Sequence, residues 1–454
     1  MQDLIILGGG PAGYLAAERA AHRGMKVTLF EMRELGGVCL NEGCIPSKAL
    51  LNSAKVYEHA KNGRKFGVLT QDITLDHKLV EQRRAKVVRT LVAGVKAKMK
   101  SGGIEVIKDK GTIAGRVDGG FAVEGGGQRV EAKRLLIATG SSPVTPPIPG
   151  LKEALESGFA LTNREVLELK EVPKELVIIG GGVIGLEMAA YYNVAGSHVT
   201  VVEMLDHIAG PTDREISELL KKSCADAGID FQLGARVTAL TQDSVKAELD
   251  GAEREYKADK VLLSIGRRAN LTGYGLETLG VETSRTGIVT DDHLRTNVEG
   301  VYAAGDVNGR IMLAHTAYRE SEVAINTMLG ERDVMRYNAI PSVIYTLPEV
   351  ASVGMTEEEA KSRGIEYDVK KLSMRYSGRF VAENEGDGLC KILVDKQRRT
   401  VLGVHMLGTY SSEIIWGAAQ LIETELTVSD AREIVFPHPT VSEIIREVLW
   451  EFDD

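Results

Sequence analysis

Four cysteines in 454 residues are too few for a secreted disulfide framework. A reducing, cytoplasmic setting is expected, in which any bridge works chemically and does not merely staple the chain. The formal net charge of −9 comes from 55 basic and 64 acidic side chains with no basic patch, so neither nucleic acid nor a membrane surface is an expected partner. No uninterrupted apolar run reaches membrane-spanning length, and the opening Met-Gln-Asp-Leu-Ile-Ile-Leu lacks the basic start of a secretory signal. What remains is an ordinary globular composition, with length for about three domains.

Two of the cysteines stand close together in Gly36-Gly37-Val-Cys39-Leu-Asn-Glu-Gly43-Cys44-Ile-Pro46-Ser-Lys48. A straight helix would separate them by about 7.5 Å of rise, whereas a disulfide wants Cα atoms roughly 4.4 to 6.8 Å apart. A Cys39–Cys44 bridge therefore needs an irregular turn, which Gly43 makes accessible. Pro46 suits the first turn of a helix running on through Leu50, Leu51, Ala54 and Tyr57, and Cys44 then sits near a helix N-terminus, where a thiolate is favoured. We read the pair as a redox-active disulfide. Two core residues or half a zinc site are the alternatives, but the spacing is not Cys-x-x-Cys and no second pair follows, so no metal is expected. Cys224, in phase with Ile216 and Leu220 on a helix, and Cys390, in phase with Ile392 and Val394 on a strand, read as core.

The run Leu4–Leu7 meets Gly8-Gly-Gly10-Pro-Ala-Gly13, then an alanine-rich helix to Gly24, then a strand from Lys26 to Phe30 ending in Glu31. This is a βαβ unit with a dinucleotide fingerprint. Gly8 permits the tight turn, Gly10 lets backbone N–H groups approach a pyrophosphate, Gly13 allows close helix packing, and Glu31 can accept from a ribose hydroxyl. The pattern recurs at a constant offset, matching Gly8 with Gly180, Gly10 with Gly182, Gly13 with Gly185, Gly24 with Gly196 and Glu31 with Glu203. Two units imply two dinucleotides, although a repeated fold need not repeat the function. A carboxylate at the position of Glu203 would accept from a ribose 2′-hydroxyl and repel a 2′-phosphate, which favours NAD over NADP.

Between the copies a long amphipathic helix is expected on Val80, Val87, Leu91 and Val95, closed by Gly102-Gly103. Arg134 to Gly140 and Lys260 to Gly266 read as buried strands that each return to their own sheet. The Pro-rich stretch Pro143–Gly150 reads as a linker, with a second crossing near Gly266. Asp306 ends a buried strand, the place where ligands bind in open α/β sheets, unless it is simply a turn aspartate. The expected division is residues 1–145 with 267–335, residues 146–266, and a separate α+β unit, 336–454. In that last unit Ser342–Tyr345, Lys391–Val394 and Val401–Met406 suggest an antiparallel sheet, with helices at Thr356–Arg363 and Ser411–Glu425. His438, between two prolines in Phe436-Pro-His438-Pro-Thr440-Val-Ser-Glu443, is either an aimed base or a loop residue. Thr440 and Glu443 fit a helix capping box, and Glu443 fits equally a carboxylate that orients the imidazole.

Together these motifs resemble the flavin-dependent pyridine nucleotide disulfide oxidoreductases over nearly the whole chain, and the disulfide and His-Pro-Thr stretches are the most specific. The resemblance implies an α/β fold with two Rossmann-like dinucleotide-binding domains, for FAD and NAD, and a C-terminal α+β dimerisation domain. FAD would meet Gly8, Gly10, Gly13, Glu31, Gly36, Gly37, Lys48, Thr139, Gly140, Asp306 and the Met312-Leu313-Ala314-His315 turn. NAD would meet Gly180, Gly182, Gly185, Glu203 and Gly266. It further implies a homodimer in which His438, oriented by Glu443, serves the Cys39/Cys44 disulfide of the other chain, and a pairing of Lys48 with Glu187. Cys44 would be the flavin-side thiol. The implied activity is oxidation of dihydrolipoyl groups carried on another protein, of a 2-oxo acid dehydrogenase complex or the glycine cleavage system, since no lipoyl-type segment precedes the first strand. Glutathione-type reductases share the motifs but use NADP, mercuric reductase would need a further C-terminal cysteine pair, and a non-catalytic redox sensor would have little use for Cys39, Cys44, His438 and Glu443 together. Val38, where threonine is usual, puts one flavin hydrogen bond in question, and Phe436 replaces a position that is commonly polar.

Overall fold

Leu4 to Leu7 are buried because they form the centre of a sheet covered on both faces. In the computed structural model, which describes residues 1–383 and 386–453, strand Gln2–Leu7 lies parallel between Val27–Phe30 and Gln128–Ile137. Glu105–Ile107 extends the sheet on one side and Val301–Ala303 pairs with Gln128–Ile137 on the other, both in parallel. Alternate residues serve opposite faces. Leu4, Ile6 and Leu29 pack under the helices Pro11–His22, His77–Ser101 and Ala314–Met328, whereas Ile5, Leu7 and Phe30 join Phe121, Ile288 and Val307.

The second copy repeats this plan. Glu175–Ile179 is flanked in parallel by His198–Glu203 and Lys260–Leu263, with Asp230–Leu233 and Ala160–Leu161 at the edges. Where the chain passes between the two sheets, Ser141–Pro143 pairs antiparallel with Arg267–Ala269. The second sheet thus hangs on a two-stranded ribbon, which fixes how it faces the first.

The long helix His77–Ser101 buries Val80 and Val95 as expected but not Leu91. Leu91 is exposed, and the inward face is Val80, Arg84, Val92, Val95 and Met99. Stepping by four from Val88 to Val92, three to Val95 and four to Met99 keeps one face against the sheet, and this register turns Leu91 outward.

The C-terminal sheet is antiparallel in the order 342–344, 350–354, 401–407, 389–395, 367–373. Strands Val350–Gly354 and Tyr367–Ser373 escaped the sequence reading. Helices Ser411–Glu423 and Glu443–Trp450 cover one face through Ile415, Ile444 and Val448 packed on Ile392 and Val404. Cys224 and Cys390 are buried among apolar side chains as expected. Asn384, Glu385 and Asp454, all within the expected unit 336–454, lie outside the described residues. Among the described residues no helix is long and apolar enough to cross a membrane.

One buried cation ties this sheet to the second unit. Lys391, 1% exposed, meets both Asp213 oxygens at 2.9 and 3.0 Å, Glu357 at 2.5 Å and Glu215 at 3.4 Å. Asp213 also caps helix Arg214–Asp226 through the Ile216 N–H. Removing one partner of a buried ion pair leaves the other charge uncompensated. Lys391→Met is therefore expected to destabilise the protein by about 3–5 kcal/mol, read from the first transition of a urea unfolding curve; an unchanged midpoint would refute the role assigned to this lysine.

Candidate active site

The cysteine turn closes against the first glycine loop because neither strand of backbone there carries a side chain. Gly36 and Gly37 take left-handed φ values of 97° and 56°, and a Cβ on Gly37 would stand 2.5 Å from the Gly10 Cα. The short helix Gly37–Glu42 presents Cys39, Gly43 breaks it at φ −151° and ψ −108°, and helix Cys44–Lys61 begins at Cys44 itself. This is the irregular turn that the spacing demands. Both cysteines are free in this structure.

The two thiols are unequal. The neighbouring Cys39 thiol, helped by the Lys48 ammonium and opposed by burial and Glu187, draws the Cys44 thiol down to about 7. Cys39 is pushed upward by Cys44 and by burial. Cys44 stands at the helix N-terminus expected from the sequence. One turn beyond Cys44, Lys48 Nζ donates to both oxygens of Glu187, at 3.0 and 2.9 Å. Glu187, on helix Val183–Ala195, is 4% exposed and accepts a third bond from the Tyr345 N–H at 3.1 Å.

A single cavity of about 1,580 Å³ runs past this turn and both glycine loops. Helices Pro11–His22 and Val183–Ala195 start at Gly10 and Gly182 with no side-chain cap and no acidic residue in the first turn, so their leading N–H groups remain available to anionic oxygen. Cβ atoms on Gly182, Gly140 and Gly266 would meet nothing within 4 Å, whereas on Gly13 and Gly185 they would overlap the carbonyl oxygens of Gly8 and Gly180. The first three leave room for a ligand, and the last two hold helix to loop. Glu31 and Glu203 do more than the expected ribose contact. Each braces its own loop, Glu31 accepting from the Gly9 and Arg33 N–H groups (both 2.7 Å) and Glu203 from those of Gly181 and Leu205 (2.6 and 2.8 Å). These open loops and uncapped helix starts fit the pyrophosphates of two dinucleotides.

Most of the expected residues line this cavity: Gly8, Gly10, Glu31, Gly37, Cys39, Cys44, Lys48, Thr139, Gly140, Gly180, Gly182, Glu187, Glu203, Gly266, Asp306 and the turn from Met312 to His315. Gly13, Gly36 and Gly185 lie behind it. His315 donates through Nε2 to the Pro341 carbonyl at 2.8 Å, and burial holds its pKa below the usual range. Asp306 accepts from the Ser141 hydroxyl, which in turn accepts from Arg267 Nε at 2.7 Å. Ser141 and Arg267 were missed, although each directly follows a motif glycine. Buried Glu320 was missed as well. It accepts from the Gly305 N–H at 2.6 Å, Asn308 Nδ2 at 2.9 Å and the Tyr337 hydroxyl at 2.8 Å, and burial pushes its carboxyl upward. No local pattern announces it.

His438 and Glu443 stand apart from the cavity. Glu443 Oε1 accepts from His438 Nδ1 at 2.9 Å, and its Oε2 accepts from the Thr440 N–H at 2.9 Å. Those two contacts hold its carboxyl below the usual range, the backbone one most strongly. The full capping box is not formed: Thr440 Oγ1 turns to the Pro437 carbonyl and Ser442, and the helix begins only at Glu443. The His438–Pro439 peptide is cis, and the imidazole is 78% exposed.

Residues 2–321 match the model of the pyridine nucleotide-disulphide oxidoreductases and residues 340–449 that of the same family's dimerisation domain. The chain belongs to this family. The oxidoreductase is 39% identical over 467 residues to a dihydrolipoyl dehydrogenase of Bacillus subtilis, covering 99% of this chain and 98% of that one. It is 38% identical over 461 residues to dihydrolipoyl dehydrogenase 3 of Pseudomonas putida, covering 99% and 98%. Among solved structures it resembles LpdA from Mycobacterium tuberculosis (TM-score 0.89, 27% identity, 99% of each chain) and the HOCl-induced flavoprotein disulfide reductase RclA from Escherichia coli (TM-score 0.86, 27% identity, 99% and 100%).

The double duty of Glu203 makes a prediction. Glu203→Ala removes both braces and the ribose acceptor together, and is expected to raise the KM for NAD by about 10-fold or more while narrowing the preference for NAD over NADP. Glu203→Gln, which keeps an acceptor, should fall between. Steady-state kinetics with the two nucleotides would expose an error as an unchanged ratio in Glu203→Ala.

Proposed function

We propose that the oxidoreductase is a dihydrolipoyl dehydrogenase, oxidising protein-bound dihydrolipoyl groups to the cyclic disulfide with NAD as acceptor. The names of its full-length relatives support this reading. The observation that carries the chemistry is the placement of Cys39 and Cys44 on either side of the Gly43 break in the wall of the cavity, with Lys48 one helical turn beyond Cys44.

Starting from the oxidised couple, the steps follow from where the proton can go. Glu443 accepts from Nδ1 of His438, which leaves Nε2 as an acceptor. Nε2 takes a proton from one lipoyl thiol, the lipoyl thiolate attacks Cys39 Sγ, the Cys39–Cys44 bond breaks, and Cys44 leaves as thiolate. The second lipoyl thiol then passes its proton by way of the imidazole to Cys39 as its sulfur attacks the first, closing the lipoyl disulfide and releasing Cys39 as a thiol; one proton stays on His438 and Cys44 remains the thiolate. A flavin seated on the first glycine loop supplies the relay that carries the electron pair from this dithiol to the nicotinamide ring.

We take His438 to act on the cysteines of a second chain. It does not line its own chain's cavity, and nearby Val435 is 91% exposed, so the reading includes a homodimer formed through the C-terminal unit. It also includes the division at residues 145/146, 266/267 and 335/336, with FAD and NAD in the first and second units, and a cytoplasmic location. The lipoyl partner belongs to a 2-oxo acid dehydrogenase complex or the glycine cleavage system.

Purified enzyme should reduce NAD with dihydrolipoamide. No turnover would move the substrate to that of another disulfide reductase. His438→Gln should lose on the order of 10²-fold or more in turnover. Heterodimers of His438→Gln with Cys44→Ser should regain activity at one of their two sites, because one cavity then has both cysteines and a partner's imidazole; silence in purified heterodimers would place the base within one chain. Cys39→Ser should keep a long-wavelength thiolate–flavin absorbance that Cys44→Ser lacks.

A further inference from the structure

Tyr345 belongs to none of the motifs that mark the site, yet it touches the central ion pair twice. It follows strand Ser342–Ile344 of the C-terminal sheet and lines the cavity. Its backbone N–H donates to Glu187, and the face of its ring lies 4.3 Å from Lys48 Nζ. Lys48 aims hydrogen bonds at both Glu187 oxygens, so the ring bounds its ammonium on another side. A cation within about 6 Å of an aromatic centroid is attracted to the ring face, more strongly as water is excluded. The carboxylate side of the contact is dry, Glu187 being 4% exposed, while the Lys48 side chain keeps about a third of its surface open. Burial also pushes the Tyr345 phenol upward, which keeps the ring neutral at physiological pH.

We infer that Tyr345 is a positioning residue for the redox couple: its aromatic face holds the Lys48 ammonium beside Cys44, so that the seating of the C-terminal unit sets the charge next to the flavin-side sulfur. The inference rests on the function proposed above in taking Cys44 as that sulfur. A leucine would fill the same place without a quadrupole, so shape and charge can be told apart. The titratable and charged groups that face Cys44 are Cys39, Lys48, Glu187, Arg267 and the phenols of Tyr14, Tyr318 and Tyr345. Tyr14 and Tyr318 bind each other at 2.5 Å, and Arg267 is held by Ser141. Of these groups only Tyr345 comes from the C-terminal sheet.

The test is a pH titration of the long-wavelength thiolate–flavin absorbance in the two-electron-reduced holoenzyme. In the unaltered enzyme the band is expected at higher pH and should fade as the pH falls and Cys44 takes up a proton. Tyr345→Leu loosens Lys48 and should raise the midpoint by about 0.5–1 pH unit, whereas Tyr345→Phe, which keeps the ring, should leave it in place. Tyr345→Met serves as the second apolar replacement should the leucine variant fail to fold. An unshifted midpoint in the apolar variants, or an equal shift in Tyr345→Phe, overturns the inference and leaves the proposed function standing. A band absent from the unaltered enzyme at every pH overturns both. The expected shift in an enzyme that does not turn over dihydrolipoamide upholds the positioning role and sinks only the substrate.

Discussion

Lys48 and Glu187, 139 residues apart in the chain, meet beside Cys44, and the rest of the molecule is arranged so that they can. Burying a carboxylate costs several kcal/mol unless nearly all of its lone pairs are met. Glu187 meets that condition with two bonds from Lys48 and one from the Tyr345 backbone, each partner lying on a different element. Such a pair is weak evidence of stability and better evidence of placement. It can form only when helix Cys44–Lys61 lies on helix Val183–Ala195, and an apolar joint of Leu50, Leu51 and Ala54 against Met188, Tyr191 and Tyr192 supplies the adhesion for that docking. Cys44, as the first residue of the docked helix, is carried into position with it.

The duplicated unit explains why one cavity serves two nucleotides. Each copy uses the same brace, a carboxylate at the end of the second strand gripping the glycine loop of the first. Each also uses the same contact between a helix glycine and a loop carbonyl. The copies part company in detail: Ser264 adds hydroxyl bonds to the carbonyls of Ile179 and Gly180 in the second loop. The ribbon of Ser141–Pro143 with Arg267–Ala269 then turns the two loops toward a common space. Its own residues close the floor of that space, because Arg267 reaches Ser141, and Ser141 reaches Asp306 at the edge of the first sheet.

The parts legible in the sequence were those set by local geometry. Glycines at turns, a cysteine spacing that forbids a straight helix, and an acid at the end of a strand each declare their role within some thirty residues, and the two βαβ units with their loop glycines and strand-end acids came from such signals. The parts that were not legible depend on pairings across the fold. Tyr345 is 158 residues from Glu187, Lys391 is 178 from Asp213, and nothing in the alternating pattern of strand Leu389–Asp395 distinguishes a buried ion pair from a solvated lysine. The capping box formed by half for a related reason. Glu443 accepts from the Thr440 N–H and its other oxygen took the imidazole, while the Thr440 hydroxyl found nearer partners.

Separating the cation from the base resolves a conflict inherent in dithiol chemistry. A cation beside the cysteines favours thiolate on the flavin side, but a protonated imidazole in the same small volume would repel it and would be a poorer base. The fold keeps the two apart. Lys48 is built into the cavity wall, while His438 is carried on an exposed loop, held by a carboxylate whose other oxygen is anchored to the backbone at Thr440. A chain arranged in this way contains its own electron reservoir but not its own proton acceptor. On the two-chain reading, flavin binding and the inequality of Cys39 and Cys44 are properties of a single subunit, whereas exchange with a dithiol substrate is a property of the pair. The C-terminal sheet then acts on the chemistry from both directions, offering His438 outward to the neighbouring subunit and Tyr345 inward to Lys48.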